Sequence, residues 1–81
     1  MISPKTGRID TVILEILANA DGTVEEIAEK TGIKEEAVYH VLELLRLANV
    51  VKKQNNRYFA EEKVRVLAQL LLDLEELDIT N

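Results

Sequence analysis

The sequence contains no cysteine, and no run of apolar residues is longer than three, as in Leu70–Leu72. Without cysteine, disulfide bonds, zinc–thiolate sites, iron–sulfur clusters and thiol catalysis are excluded. A membrane-spanning helix needs about 20 consecutive apolar residues, so none is expected. The first ten residues, MISPKTGRID, lack the apolar core of a signal peptide. We therefore expect a cytoplasmic protein.

The sequence also lacks the patterns that carry catalysis. It has no glycine-rich phosphate-binding loop. No serine or threonine stands in a pattern with histidine or carboxylates that would activate it. Acidic pairs such as Glu25–Glu26 are neighbours, and adjacent helical residues point about 100° apart, so they do not converge. We predict a protein that is not an enzyme and binds no cofactor.

Length and charge allow one small domain with an uneven surface. The chain has 81 residues, ten basic and fifteen acidic, for a net charge of −5. Residues 33–60 carry a net charge of +2, whereas residues 1–32 carry −3 and residues 61–81 carry −4. An anion such as nucleic-acid phosphate is therefore expected to bind the middle of the chain.

Three helices are predicted in the first half of the chain. Residues 1–7, with Pro4 and Gly7, are predicted to form a flexible tail. A helical-period stripe follows from Arg8 and comprises Ile9, Val12, Ile13, Ile16, Leu17 and Ala20. Asp21-Gly22 is predicted to be a turn. Thr23 and Glu26 are spaced as a capping box for a second helix over residues 24–30, which Gly32 closes.

The third helix is predicted from Lys34 or Glu35 to Ala48, with Asn49 as a left-handed cap. Its expected buried stripe is Ala37, Val38, Val41, Leu42, Leu45 and Ala48. Its opposite face carries Glu35, Glu36, Tyr39, His40, Glu43 and Arg46.

A two-stranded hairpin is predicted after the third helix. Val50-Val51 and Tyr58-Phe59 are β-formers, and Asn55-Asn56 between them suit a turn with positive φ. Because side chains alternate along a strand, one of Tyr58 and Phe59 is expected to enter the core.

The last helix, predicted over residues 61–78, is apolar over about two-thirds of its circumference, more than one small core can cover. One seam has the 3-4-3 spacing of coiled-coil positions and comprises Leu67, Leu70, Leu74 and Leu77. A second comprises Val64, Ala68, Leu71 and Leu72. We predict that one seam covers the core and the other pairs with a second chain. The predicted homodimer interface is Leu14, Ala18, Leu67, Leu70, Leu74 and Leu77.

Helices two and three have the spacing of a helix-turn-helix motif. Ala28 permits close approach of the helices, Gly32 permits the left-handed turn, and Val38 seals the angle between them. With the hairpin, the predicted fold is mainly α with a small β-hairpin, a winged helix-turn-helix of order α-α-α-β-β-α. Its core would span residues 8–60, and residues 61–81 would form the dimerisation helix.

The segments TVEEIAEKTGIKEEAVYHVLELLRLANVV and KKQNNRYF, with the leucine-rich last helix, resemble ArsR-type, and more broadly MarR-like, winged-helix transcriptional regulators over residues 8–77. The resemblance implies a dimer on duplex DNA, with the third helix in the major groove and the wing along the backbone or minor groove. It assigns DNA contacts to Lys34, Glu35, Glu36, Tyr39, His40 and Glu43 on the helix. It assigns wing contacts to Lys52, Lys53, Asn55, Asn56 and Arg57.

Two of the chain's departures from that family bear on its binding site, and a third is that the family's usual extra N-terminal helix is missing or reduced. His40 is its only histidine and cysteine is absent, so metal sensing is not supported and no metal site is predicted. Glu35, Glu36 and Glu43 lie on the face that would meet DNA, although a carboxylate can accept a hydrogen bond from cytosine N4. Two hypotheses remain. One is a homodimeric, sequence-specific prokaryotic transcriptional regulator. The other is a winged-helix protein–protein interaction module of a larger assembly that does not bind DNA.

Overall fold

A computed structural model describes the backbone of residues 4–79 and the side chains of residues 11–77. Four helices and three short strands occur within this range. In chain order the elements are α1 (Pro4–Ala18), β1 (Asp21–Thr23), α2 (Val24–Thr31), α3 (Glu35–Leu47), β2 (Lys52–Gln54), β3 (Arg57–Phe59) and α4 (Glu62–Ile79). The arrangement confirms the predicted winged helix-turn-helix fold, with one additional strand.

Helix α1 begins at Pro4, four residues before the predicted start. Residues 4–7 are therefore helical, which corrects their assignment to a flexible tail; residues 1–3 lie outside the described range. Proline is favoured in the first turn of a helix because its φ is already helical. An N–H group at that position would have no partner within the helix, so its absence costs nothing.

The segment predicted as an Asp21-Gly22 turn is strand β1, so the sheet has three strands instead of two. The antiparallel order is β1-β3-β2, with Gly22 opposite Tyr58 and Tyr58 opposite Lys53. Gly22 has a φ of 153°, a conformation that residues with a side chain rarely adopt, so this position in β1 favours glycine. Strand β2 begins at Lys52, and Val50-Val51 precede it.

The predicted caps of the helix-turn-helix are confirmed. The Thr23 hydroxyl accepts from the Glu26 amide, and the Glu26 carboxylate accepts from the Thr23 amide. Gly32 closes α2 with a φ of 73°, and Asn49 follows α3 with a φ of 65°. These left-handed residues end the helices at the positions the sequence indicated.

The core lies where α1, α2, α3 and the sheet meet. Its largest fully buried side chains are Tyr58, Ile16, Ile27, Leu42, Val38 and Val51. Tyr58 is 2% exposed and Phe59 is 36% exposed, so one of the two aromatic residues enters the core as predicted. Ala37 and Ala48 are exposed, contrary to prediction; Ala48 lies just past the end of α3, as its C-cap.

Helix α4 packs against α1 through one side only. Ala68 is buried, and Val64 and Leu72 are partly buried on that side. Farther along, the Thr11 hydroxyl donates a 2.7 Å hydrogen bond to Glu75 Oε1. Leu71, which the sequence grouped with the inward seam, is exposed. Within the described range, no helix is both long and apolar enough to cross a membrane.

Candidate nucleic-acid interface

Helix α3 presents one face of its first two turns to solvent. Lys34, Glu35, Tyr39 and His40 are all exposed. The Tyr39 and His40 rings meet edge to face with centroids 5.8 Å apart, and His40 Nδ1 lies 3.2 Å from the Glu36 carbonyl oxygen. Both rings are exposed on this face, so they can contact an external ligand.

The hairpin has two faces with different partners. Lys53 lies opposite Tyr58 in the sheet, and its Nζ is 5.3 Å from the Tyr58 ring centroid. Lys52 lies opposite Phe59, and because strand side chains alternate it occupies the other face. Of the two neighbouring lysines, Lys53 therefore lies on the face of the sheet that packs toward α3.

Arg57, predicted as a DNA contact, is already engaged within the chain. Its guanidinium lies 3.4 Å from Glu26 Oε1 and 3.9 Å from Asp21 Oδ1. Glu26 thus holds both the N-terminus of α2 and a side chain of β3. A phosphate would have to compete with two carboxylates for Arg57.

A groove between α3, the hairpin and the start of α2 brings three predicted contact residues together. Tyr39 lines it from α3, and Lys53 and Asn56 line it from the hairpin. The remaining lining comes from Thr23, Val24, Glu25 and Tyr58, and the open cavity measures about 310 Å³. Asn55, at the hairpin tip, has the left-handed φ of 58° that the turn requires.

Glu43 does not extend freely from the recognition face. Its Oε2 accepts a 2.5 Å hydrogen bond from the Tyr58 hydroxyl, and its Oε1 accepts a 2.7 Å bond from Arg46. The bonds from Arg46 and Tyr58 lower the pKa of Glu43 to about 2. Burial and the Glu43 hydrogen bond raise the pKa of Tyr58 to about 12. Glu43 is therefore a carboxylate that joins α3 to β3.

Sequence reasoning missed the Glu43–Tyr58 contact. The three-residue spacing of Glu43 and Arg46 indicates a helical ion pair, and the structure contains it. Nothing local pairs Glu43 with a tyrosine fifteen residues away, because that contact depends on how the hairpin folds back onto α3. The only available signal was that a buried tyrosine needs a partner for its hydroxyl.

One lysine that lines the groove, Lys53, forms no ion pair with another described residue. Among the side chains of residues 11–77, Lys30, Lys34, Lys52 and Lys53 form no ion pair with another described residue, whereas Arg46, Arg57, Lys63 and Arg65 do. The side chains described include no cluster of three or more potential metal ligands.

The residues predicted for the dimer interface fall into two groups. Leu67, Leu70, Leu74 and Leu77 are between 54% and 64% exposed along α4. Leu14 and Ala18 are partly buried on α1. The α4 leucines thus form an apolar strip on the side of the helix that faces away from α1.

Helix-turn-helix, wing and groove together define a winged-helix DNA-binding regulator. A family model described as "Sugar-specific transcriptional regulator TrmB" matches residues 11–68, and the chain belongs to that family. The match supports the predicted class of helix-turn-helix transcriptional regulators, but it does not point specifically to the ArsR or MarR-like branch. No curated protein matches the chain.

Proposed function

We propose that the protein is a small prokaryotic transcriptional regulator that binds specific duplex DNA as a homodimer in the cytoplasm. The observation that carries the proposal is the groove in which Tyr39, Lys53 and Asn56 meet beside the exposed start of α3. The family description supports regulation of genes connected with sugars.

In this proposal the exposed start of α3 enters the major groove. Lys34 and His40 supply donors for base edges or phosphates, and Glu35 accepts from cytosine N4. Lys53, aided by the amides of Asn55 and Asn56, contacts the phosphate backbone. Lys52 and Arg57 lie on the outer face of the wing and contribute less, since Arg57 is shared with Asp21 and Glu26.

The homodimer would form through the exposed strip of α4. Leu67, Leu70, Leu74 and Leu77 have the 3-4-3 spacing of a helix-pairing seam, and a continuous apolar strip of this kind favours a partner over water. Closed two-fold symmetry is the commonest outcome for identical chains. It would set two recognition helices about 34 Å apart on a palindromic site.

A protein-interaction module remains the second candidate, because α3 carries features that do not favour DNA. Glu35 and Glu36 are exposed near its start, and Leu44 near its end is 66% exposed. Exposed carboxylates at one end of α3 and an exposed leucine toward the other suit a basic, partly apolar protein partner better than phosphate.

Selection of bound sequences from a random duplex pool, at low and at physiological salt, separates the two candidates. A DNA-binding dimer should enrich a palindrome, with affinity falling steeply as salt rises. Failure to retain any duplex at low salt would overturn the DNA proposal and favour the protein-interaction module.

A further inference from the structure

The contact between Glu43 and Tyr58 joins the two elements that would hold DNA. Glu43 belongs to α3 and Tyr58 to β3, and the 2.5 Å hydrogen bond between them is the only side-chain hydrogen bond linking α3 to the hairpin within residues 11–77. Arg46, one turn from Glu43, holds the carboxylate in place through two N–H groups. While the Glu43 carboxylate is bound to Tyr58 and Arg46, it is therefore not free to contact DNA.

The Tyr58 ring in turn supports Lys53. The Lys53 ammonium lies 5.3 Å from the ring centroid, within the range of a cation–π interaction. The same lysine lines the groove together with Tyr39 of α3. A fixed ring thus sets the position of the one wing lysine that lies on the groove side.

We propose that Glu43 is a positioning residue, which acts through Tyr58 to hold the wing at a fixed angle to α3 and to direct Lys53 toward DNA phosphate. This inference rests on the proposed DNA-binding function and revises the expectation that Glu43 contacts bases. It also explains why an acid is tolerated near a DNA-binding surface: its charge is used within the protein, by Arg46 and Tyr58.

A thermodynamic cycle of Tyr58→Phe and Lys53→Ala tests the inference, with duplex affinity measured over a range of salt. Tyr58→Phe keeps the aromatic ring and leaves the charges of Lys53 and Glu43 in place, but it removes the hydroxyl. We expect at least about threefold weaker binding and a salt slope lower by about one phosphate contact, as in Lys53→Ala. The double variant should bind like Lys53→Ala alone.

Additive effects in the cycle, or an unchanged salt slope for a folded Tyr58→Phe variant, would overturn the inference while leaving the proposed function intact. A merely structural tyrosine would lower the melting temperature without altering the slope. Absence of duplex binding by the unmodified chain would instead overturn the proposed function, and this inference with it.

A second comparison asks whether removing an acidic charge from α3 strengthens or weakens DNA binding, and it leaves Tyr58 unchanged. Glu43→Gln and Glu36→Gln each remove one negative charge from the same helix, and among the described residues the Glu36 side chain forms no hydrogen bond or ion pair with the wing. Electrostatics alone predicts tighter DNA binding by both. Positioning predicts tighter or equal binding for Glu36→Gln and weaker binding for Glu43→Gln, because the hydrogen bond loses its charged acceptor. Tighter binding by both would contradict our inference.

Discussion

Tyr58 combines two environments in one side chain. Its ring is buried among core residues, while its hydroxyl reaches Glu43 at the edge of the core. A buried hydroxyl without a partner would be costly, and an acid beside a core would be costly without donors. The Tyr58 hydroxyl and the Glu43 carboxylate therefore satisfy each other through their hydrogen bond. The positive charge of Arg46 balances the negative charge of the carboxylate.

Acid should weaken the fold through Glu43. Its pKa is about 2 in the folded protein and near 4.5 when unperturbed, so the ionised carboxylate stabilises the fold above pH 4.5. That stabilisation is lost as the pH falls from 4.5 toward 2. Urea unfolding across this range should show a smaller pH dependence in Glu43→Gln than in the unmodified chain. Identical pH dependence would contradict the assignment.

Replacing Gly32 should destabilise the fold because of its backbone conformation alone. Its φ is 73°, and a Cβ there would meet no atom within 4 Å, so sterics with neighbours play no part. Gly32→Ala should lower the free energy of unfolding by about 1 kcal/mol, since alanine disfavours the left-handed conformation. Gly32→Asn, which tolerates positive φ better, serves as the control and should cost less. Equal stabilities by urea titration would disprove this explanation.

At the level of elements, helices were predictable and the third strand was not. The capping box at Thr23, the glycine after α2 and the apolar period of α3 are local signals, and the structure follows them. Strand β1 is three residues with turn-forming composition, and it is extended because β3 pairs with it. Pairing between distant segments leaves no local trace in the sequence.

The candidate site was predictable in position but not in orientation. The period of α3 indicated which side chains are exposed, and the local charge indicated the hairpin. The sequence did not indicate that Lys52 and Lys53 lie on opposite faces of the hairpin, or that Arg57 and Glu43 have partners inside the chain. Those facts depend on register and on the packing of the hairpin against α3.

The two wing lysines should differ in their effect on DNA binding. Lys53→Ala removes the cation on the groove side and should reduce the salt slope by about one. Lys52→Ala makes the same change in charge on the outer face and is the matched control, with a smaller effect expected. Arg57→Ala should have a smaller effect than Lys53→Ala, because Arg57 lies on the outer face beside the carboxylates of Asp21 and Glu26. Equal slopes for both lysine variants would refute the assignment of faces.

At the scale of the whole molecule, α4 determines the expected assembly. Leu70→Lys with Leu74→Lys places two charges in the exposed leucine strip and should convert a dimer to a monomer, measured by light scattering on a gel-filtration peak. Leu44→Lys, at a leucine on α3 that is 66% exposed, is the control and should leave the mass unchanged. A monomeric unmodified chain, or a dimer that persists in the double variant, would rule out this interface.

The pairing of β1 with β3 has a consequence for how the protein opens. Residues 24–56, which include α2, α3 and the hairpin turn, lie between the two paired strands, so this pairing closes them into one loop. Because β3 is the central strand of the sheet and also one strand of the wing, separating it from β1 frees the wing and the segment that carries the recognition helix together. Amide hydrogens of β3 and the core of α3 should therefore exchange with solvent at similar, slow rates, as a single cooperative unit. A regulator built in this way would lose its DNA-binding surface all at once, not gradually from one end.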